Sequence, residues 1–112
     1  MAKGGFRGGY GGMNQANMMK QAQKMQQDVQ RLQQEISERE FTAAAGGGVV
    51  KATVLGSKVV KSIEIDPACV DPDDVEMLQD LVLAAVNEAL RMADETMTSE
   101  MNRVTGGMNL GF

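Results

Sequence analysis

Lys20, Lys24, Gln27 and Arg31 are spaced 4, 3 and 4 residues apart, which on a helix places three cations and an amide along one stripe. Gln23, Gln30 and Gln34 lie beside it. Such a stripe can follow a phosphate backbone, because Lys and Arg displace counterions while Gln donates hydrogen bonds to phosphate or base edges. The same residues can equally form the solvated outer face of a coiled coil. Asp28, Glu35 and Glu38 dilute the positive charge further along, so any nucleic-acid contact is expected at the N-terminal half of the stripe.

Little else points to chemistry. The chain has no His, which removes His-based triads and imidazole metal sites. Its glycine runs lack the Gly-Lys-Ser/Thr ending of a phosphate-binding loop and the strand-turn-helix setting of a dinucleotide fingerprint. With no acid-base pair placed for a cleft, the reading is a protein that is not an enzyme, with no cofactor, no metal and no small-molecule substrate. Asp66, Asp71, Asp73 and Asp74 could in principle gather a cation, but the EF-hand spacing is absent and acids at a helix start explain them better. Cys69, the one cysteine, excludes an internal disulfide and reads as an ordinary loop residue.

The stripe needs a helix to carry it. From Met13 to Arg39 there is no Gly or Pro, and Met18, Ala22, Met25, Val29, Leu32 and Ile36 repeat at heptad spacing, a seam that packs along a partner helix. Twenty-seven helical residues span roughly 40 Å, against a radius of gyration of about 13 Å for a compact domain of this size. Part of the helix must project or find a partner. Asn14 or Asn17 are candidate caps, and the methionines at 13, 18, 19 and 25 make the seam adaptable.

Past Arg39 the period changes. Phe41–Ala45 reads as a short strand, Gly46–Gly48 as a breaker, Val50–Leu55 as a second strand, and Gly56-Ser57 as a turn into Val59–Ile65, with Val59, Lys61, Ile63 and Ile65 on one face. This is a three-stranded antiparallel meander, with one face on helix and the other wet or against a second subunit. Lys51, Lys58 and Lys61 read as edge protection, phosphate contact being the lesser reading. Asp71 then caps a second helix with Pro72 in its first turn. Its apolar rhythm runs through Leu78, Val82, Ala85, Ala89 and Met92, widened by Leu81, Val86, Leu90 and Ala93, and Ala84, Ala85 and Ala89 allow close approach. Gly106-Gly107 ends it.

The expected organisation is a flexible Gly-rich leader (1–12), a single α+β domain (13–105) and a flexible tail (106–112). Phe6, Arg7 and Tyr10 make the leader similar to Arg-Gly-Gly segments that contact single strands, which leaves RNA binding as a minor option beside a leader with no specific role. The 112 residues suit one domain, small enough that dimerisation would help stabilise it. No secretory signal and no apolar run of about 18 residues appears, so the expectation is a cytoplasmic protein with no membrane partner. The net charge of −4 is uneven: residues 1–27 carry four cations and no acid, whereas residues 66–112 carry ten acids against Arg91 and Arg103.

These residues resemble the YbaB/EbfC family of bacterial nucleoid-associated DNA-binding proteins. The likeness rests on Met18–Gln26, on Ala45–Gly48 followed by Val-Lys-Ala-Thr-Val, on Ile63–Pro67, on Asp71–Leu90 above all, and on Thr105–Leu110. The leader with its Arg and Tyr is longer than in the family, and the tail is shorter. The resemblance implies an α-β-β-β-α protomer with a long projecting N-terminal helix in an intertwined homodimer. It implies double-stranded DNA as partner, nucleoid association, and an effect on nucleoid organisation and gene expression. Carried over by position, it implies DNA-binding roles for Lys20, Lys24 and Arg31, and for Arg103 late in the second helix. Phosphate contact is then expected only near the helix tips, because the second helix is acidic. The alternative from another class is a protein-interaction module that uses the heptad seam to hold a partner helix, perhaps one engaged in DNA repair or recombination.

Overall fold

A computed structural model describes the backbone of residues 2–106 and the side chains from Gln15 onward. The order is α1 (Ala2–Glu38), β1 (Glu40–Ala45), β2 (Val50–Leu55), β3 (Val60–Ile65) and α2 (Val75–Thr105), with single 3-10 turns at Gly46–Gly48 and Pro67–Cys69. This is the α-β-β-β-α, α+β arrangement expected. The sheet is an antiparallel meander in the order β1-β2-β3, and the shape is long and thin, 90 × 25 × 16 Å.

Alternation along the strands builds the core. Phe41, Ala43, Val50, Ala52 and Val54 point to one side and are buried there. α2 lies across β1 and β2 on that side, with Ala85, Ala89 and Ala93 fully buried where its backbone comes closest to the sheet. Ala84 faces solvent and takes no part in this approach. The outer side is polar. Thr42 and Thr53 share a 2.8 Å hydroxyl hydrogen bond on it, and Lys61 of β3 pairs with Glu40 of β1 across the width of the sheet.

α1 joins this core only at its C-terminal end. Along its seam Ile36 is buried, Leu32, Val29 and Met25 are half-buried, and Ala22 and Met18 are exposed, Met18 to 66%. The gradient follows α2, which runs antiparallel to α1: Ile36 packs in one cluster with Ala89 and Ala93, and Val104, near the end of α2, lines a shallow depression with Gln21, Lys24, Met25 and Asp28. Ahead of Gln21, α1 continues beyond the end of α2. Nineteen residues at about 1.5 Å each project roughly 28 Å.

The joint is tightened by the β2–β3 hairpin. Gly56 donates its N–H to Arg39 O at 3.0 Å and Ser57 to Ser37 O at 3.2 Å, so the hairpin tip is bonded to the last turn of α1 and the chain leaving it. A Cβ on Gly56 would sit 1.9 Å from Ile36 O, so no other residue fits there. Lys58 occupies the left-handed position of this turn, with φ of 73°, and pairs with Asp94 of α2 at 2.6 Å.

Four expectations need correction. α1 starts at Ala2 rather than Met13, and neither Asn14 nor Asn17 caps it. Glycine disfavours helix by about 1 kcal/mol per residue without barring it sterically, and a helix already nucleated downstream extends more easily than one begun afresh. The cap of α2 is Asp74, whose carboxylate accepts from Met77 N at 3.2 Å. Asp71 instead accepts from Asp73 N in a preceding turn that contains Pro72, which shifts the start three residues. A bulge opposite Thr53/Val54 sets Val60 against Val54, so Val60 joins Ile63 and Ile65 on the inner face while Lys61 reaches Glu40 on the outer one. The tail expected over 106–112 lies outside the described residues except for Gly106.

Gly56→Ala is expected to destabilise the fold by about 1–3 kcal/mol, the usual cost of forcing atoms into a packed site. Urea unfolding of the two proteins measures it, and an unchanged midpoint would show that the hairpin and α1 are not in this contact.

Candidate nucleic-acid interface

The four basic residues singled out by sequence fall into two pairs. Lys20 and Lys24 are exposed on α1 and make no ion pair among the described residues. Arg31 lies two turns closer to the sheet, between Asp28 at 3.3 Å and Glu35 at 4.0 Å on its own helix. Arg103 of α2 holds Glu100 at 2.8 Å. The antiparallel packing sets the last turns of α2 beside Lys24, because Val104 lines the same depression as that lysine. Lys20, Lys24 and Arg103 therefore belong to one region of the arm, and Arg31 stands about 10 Å behind Lys24 along the axis.

Exposed ion pairs of this kind are worth about 0–1 kcal/mol, so a phosphate can displace them. The consequence is one of order: Lys20 and Lys24 meet an anion with nothing to give up, while Arg31 and Arg103 must first release a carboxylate. The partners were visible in the sequence, since Asp28 and Glu35 stand at i−3 and i+4 from Arg31, and Glu100 at i−3 from Arg103.

The other cations of the domain are largely neutralised in place. Lys58 pairs with Asp94 and Lys61 with Glu40, and Lys51 sits opposite Glu64 in the strand register. Arg91 is held between Glu88, at 2.9 Å from its Nε, and Glu95 one turn on. The Arg91 hydrogen bond, partly opposed by desolvation and helped by its charge, holds the Glu88 carboxyl below its ordinary range, and Glu88 in turn raises Arg91. The sheet and the middle of α2 thus offer no surplus of positive charge.

A second surface was not read from the sequence. On the inner side, β3 extends past α2, leaving Val60 (43%), Ile63 and Ile65 exposed, and Leu83 of α2 is 59% exposed beside Val82 and Val86. Val59, Val70, Val75 and Met77 add to the apolar area around them. Most of the exposed large apolar residues fall between Val59 and Leu83, and β3 is also the free edge of the sheet. The clue was that Leu83, Val70 and Val75 fit neither apolar rhythm of the chain.

The family model for the YbaB/EbfC DNA-binding family matches residues 11–108, nearly the whole chain. The chain belongs to the YbaB/EbfC DNA-binding family. It is 59% identical over 110 residues to a nucleoid-associated protein of Clostridium novyi (strain NT), covering 98% of this chain and 96% of that one. It is 58% identical over 108 residues to a nucleoid-associated protein of Acetivibrio thermocellus, covering 96% and 94%. In three dimensions it is similar to the crystal structure of an uncharacterized protein from Helicobacter pylori, with a TM-score of 0.66 at 19% identity over 80% of this chain and 94% of that one. That likeness supports the α-β-β-β-α fold. No helix among the described residues is long and apolar enough to cross a membrane.

Because the folded-state pKa of Glu88 is depressed, its ion pair with Arg91 contributes at neutral pH and is lost as pH falls through that lowered value. Arg91→Gln is expected to return Glu88 to the ordinary carboxylate range, read from the carboxyl carbon shift during an NMR titration. No upward movement would mean that the pair is not populated in solution.

Proposed function

We propose that this protein is a nucleoid-associated protein that binds duplex DNA as a homodimer, mainly through phosphates contacted by the N-terminal halves of the two α1 arms. In the cytoplasm it thereby affects nucleoid organisation and gene expression. The observation that carries the reading is the placement of charge: Lys20 and Lys24 stand without carboxylate partners among the described residues on the part of α1 nearest the end of α2. Family membership and the nucleoid-associated relatives support DNA as the polyanion. Arg31 and Arg103 act as a second tier, recruited when phosphate displaces Asp28, Glu35 and Glu100.

The homodimer is supported by the apolar surface shared by β3 and α2. Monomers seldom expose a contiguous patch of this kind without a partner, and the unpaired edge of β3 adds hydrogen-bonding groups to it. A two-fold pairing of this surface covers both and sends the α1 arms outward as a pair of tips that can straddle a duplex. Catalysis plays no part in this reading.

Engagement of Lys20 and Lys24 from both protomers neutralises about four phosphates, so log K should fall with log salt at a slope of about −3.6; full recruitment of Arg31 and Arg103 steepens it to about −7. Lys20→Gln with Lys24→Gln should weaken binding similarly on duplexes of different sequence and flatten the slope. A slope near zero for the unmodified protein, or full affinity in the double variant, contradicts the assignment.

Ile63→Glu combined with Leu83→Glu is expected to give a monomer by sedimentation while far-UV circular dichroism keeps its helical signal. A variant that stays dimeric places the interface elsewhere.

A further inference from the structure

Between Met18 and Val29 the apolar seam of α1 forms an open groove of about 650 Å³, lined by Met18, Ala22, Met25 and Val29 with Gln21 and Gln26. α2 covers the seam nearer the sheet and stops beside this groove, where Val104 lines the neighbouring depression with Met25 and Gln21. At the stop, Gly106 turns the backbone with φ of 54°, its N–H still bonded to Asn102 O. The groove therefore begins where the described chain leaves the helix.

The next residues are Gly107, Met108, Asn109, Leu110, Gly111 and Phe112. They carry no charge that would have to be desolvated, and the apolar residues alternate, so an extended strand would present Met108, Leu110 and Phe112 on one side. Six extended residues reach about 20 Å, while the helix from Met25 to Met18 rises only about 10 Å. We propose that residues 108–112 lie along the α1 groove of the same chain, covering Met18, Ala22 and Met25. A tether of two glycines favours this occupant over a second copy or a foreign helix, because a short link holds its segment at an effective concentration on the order of millimolar. Gln21 and Gln26 supply donors and acceptors for a backbone laid between them. The strap would support the turns that bear Lys20 and Lys24, yet it rests on the apolar groove alone and stands or falls independently of DNA binding.

The test uses the full chain with Cys69→Ser and Asn109→Cys, a nitroxide on the new cysteine, and carbon-13 methyl labels on methionine. The expected result is loss of the Met18 and Met25 methyl signals with Met77, at the far end of α2, retained. Spin-labelled chains without isotope, mixed with isotope-labelled chains lacking the nitroxide, should leave Met18 and Met25 intact. Adding Leu110→Asp to the spin-labelled chain should restore both signals. Signals that survive in the first sample overturn the proposal. Loss in the mixed sample assigns the groove to a second copy and also overturns it. Loss that persists with Leu110→Asp means the tether alone brings the label near, again against it.

Discussion

A long helix held at one end can project only if the joint at that end is stiff, and here the joint is the contact between the last turns of α1 and the β2–β3 hairpin. Ile36 is fully buried in the sheet-α2 core. Gly56 brings the hairpin backbone against the Ile36 carbonyl, closer than any side chain permits, and two backbone hydrogen bonds hold it there. The direction of the arm follows from this contact. α2 then braces α1 along one side as far as Met25 and Gln21, and beyond that point only the helix's own hydrogen bonds maintain its course.

Charge is arranged around the same geometry. Near the sheet, acids and bases alternate at i, i+3 and i+4 or meet across strands, so that Arg31, Lys58, Lys61 and Arg91 are each matched. The neutralisation is local and weak pair by pair, but together it keeps the acidic body from presenting a competing basic patch. Lys20 and Lys24 lie where the arm leaves this region. A negative total of −4 is therefore compatible with binding a polyanion, because screening over about 8 Å makes the nearby charges decide.

Most of the fold was legible because its elements obey simple periods. The heptad seam of α1, the alternation of Val50, Ala52 and Val54, and the wide apolar face of α2 each matched one element. What periodicity could not supply was three-dimensional accommodation. The hydrogen-bonding choice between Asp71 and Asp74 depends on a turn whose geometry no spacing reveals. The bulge in β3 reverses the side of Lys61, since one extra residue breaks a period of two. At the site, the cationic stripe was readable but its division was not weighed: Arg31 and Arg103 have carboxylate partners at helical spacing, and Lys20 and Lys24 do not. The exposed surface of β3 and α2 depends on which strands α2 covers, and that is a property of the assembled layers.

The central claim is that duplex DNA meets the arm rather than the body of the molecule. Amide chemical-shift changes in the full chain, followed while a mixed-sequence duplex is added, test it residue by residue. The account predicts the largest changes from Asn17 to Gln27, smaller ones around Arg103, and little at Lys51, Lys58, Lys61 and Arg91. Changes centred on the sheet or on residues 75–92, with residues 17–27 unmoved, would contradict it.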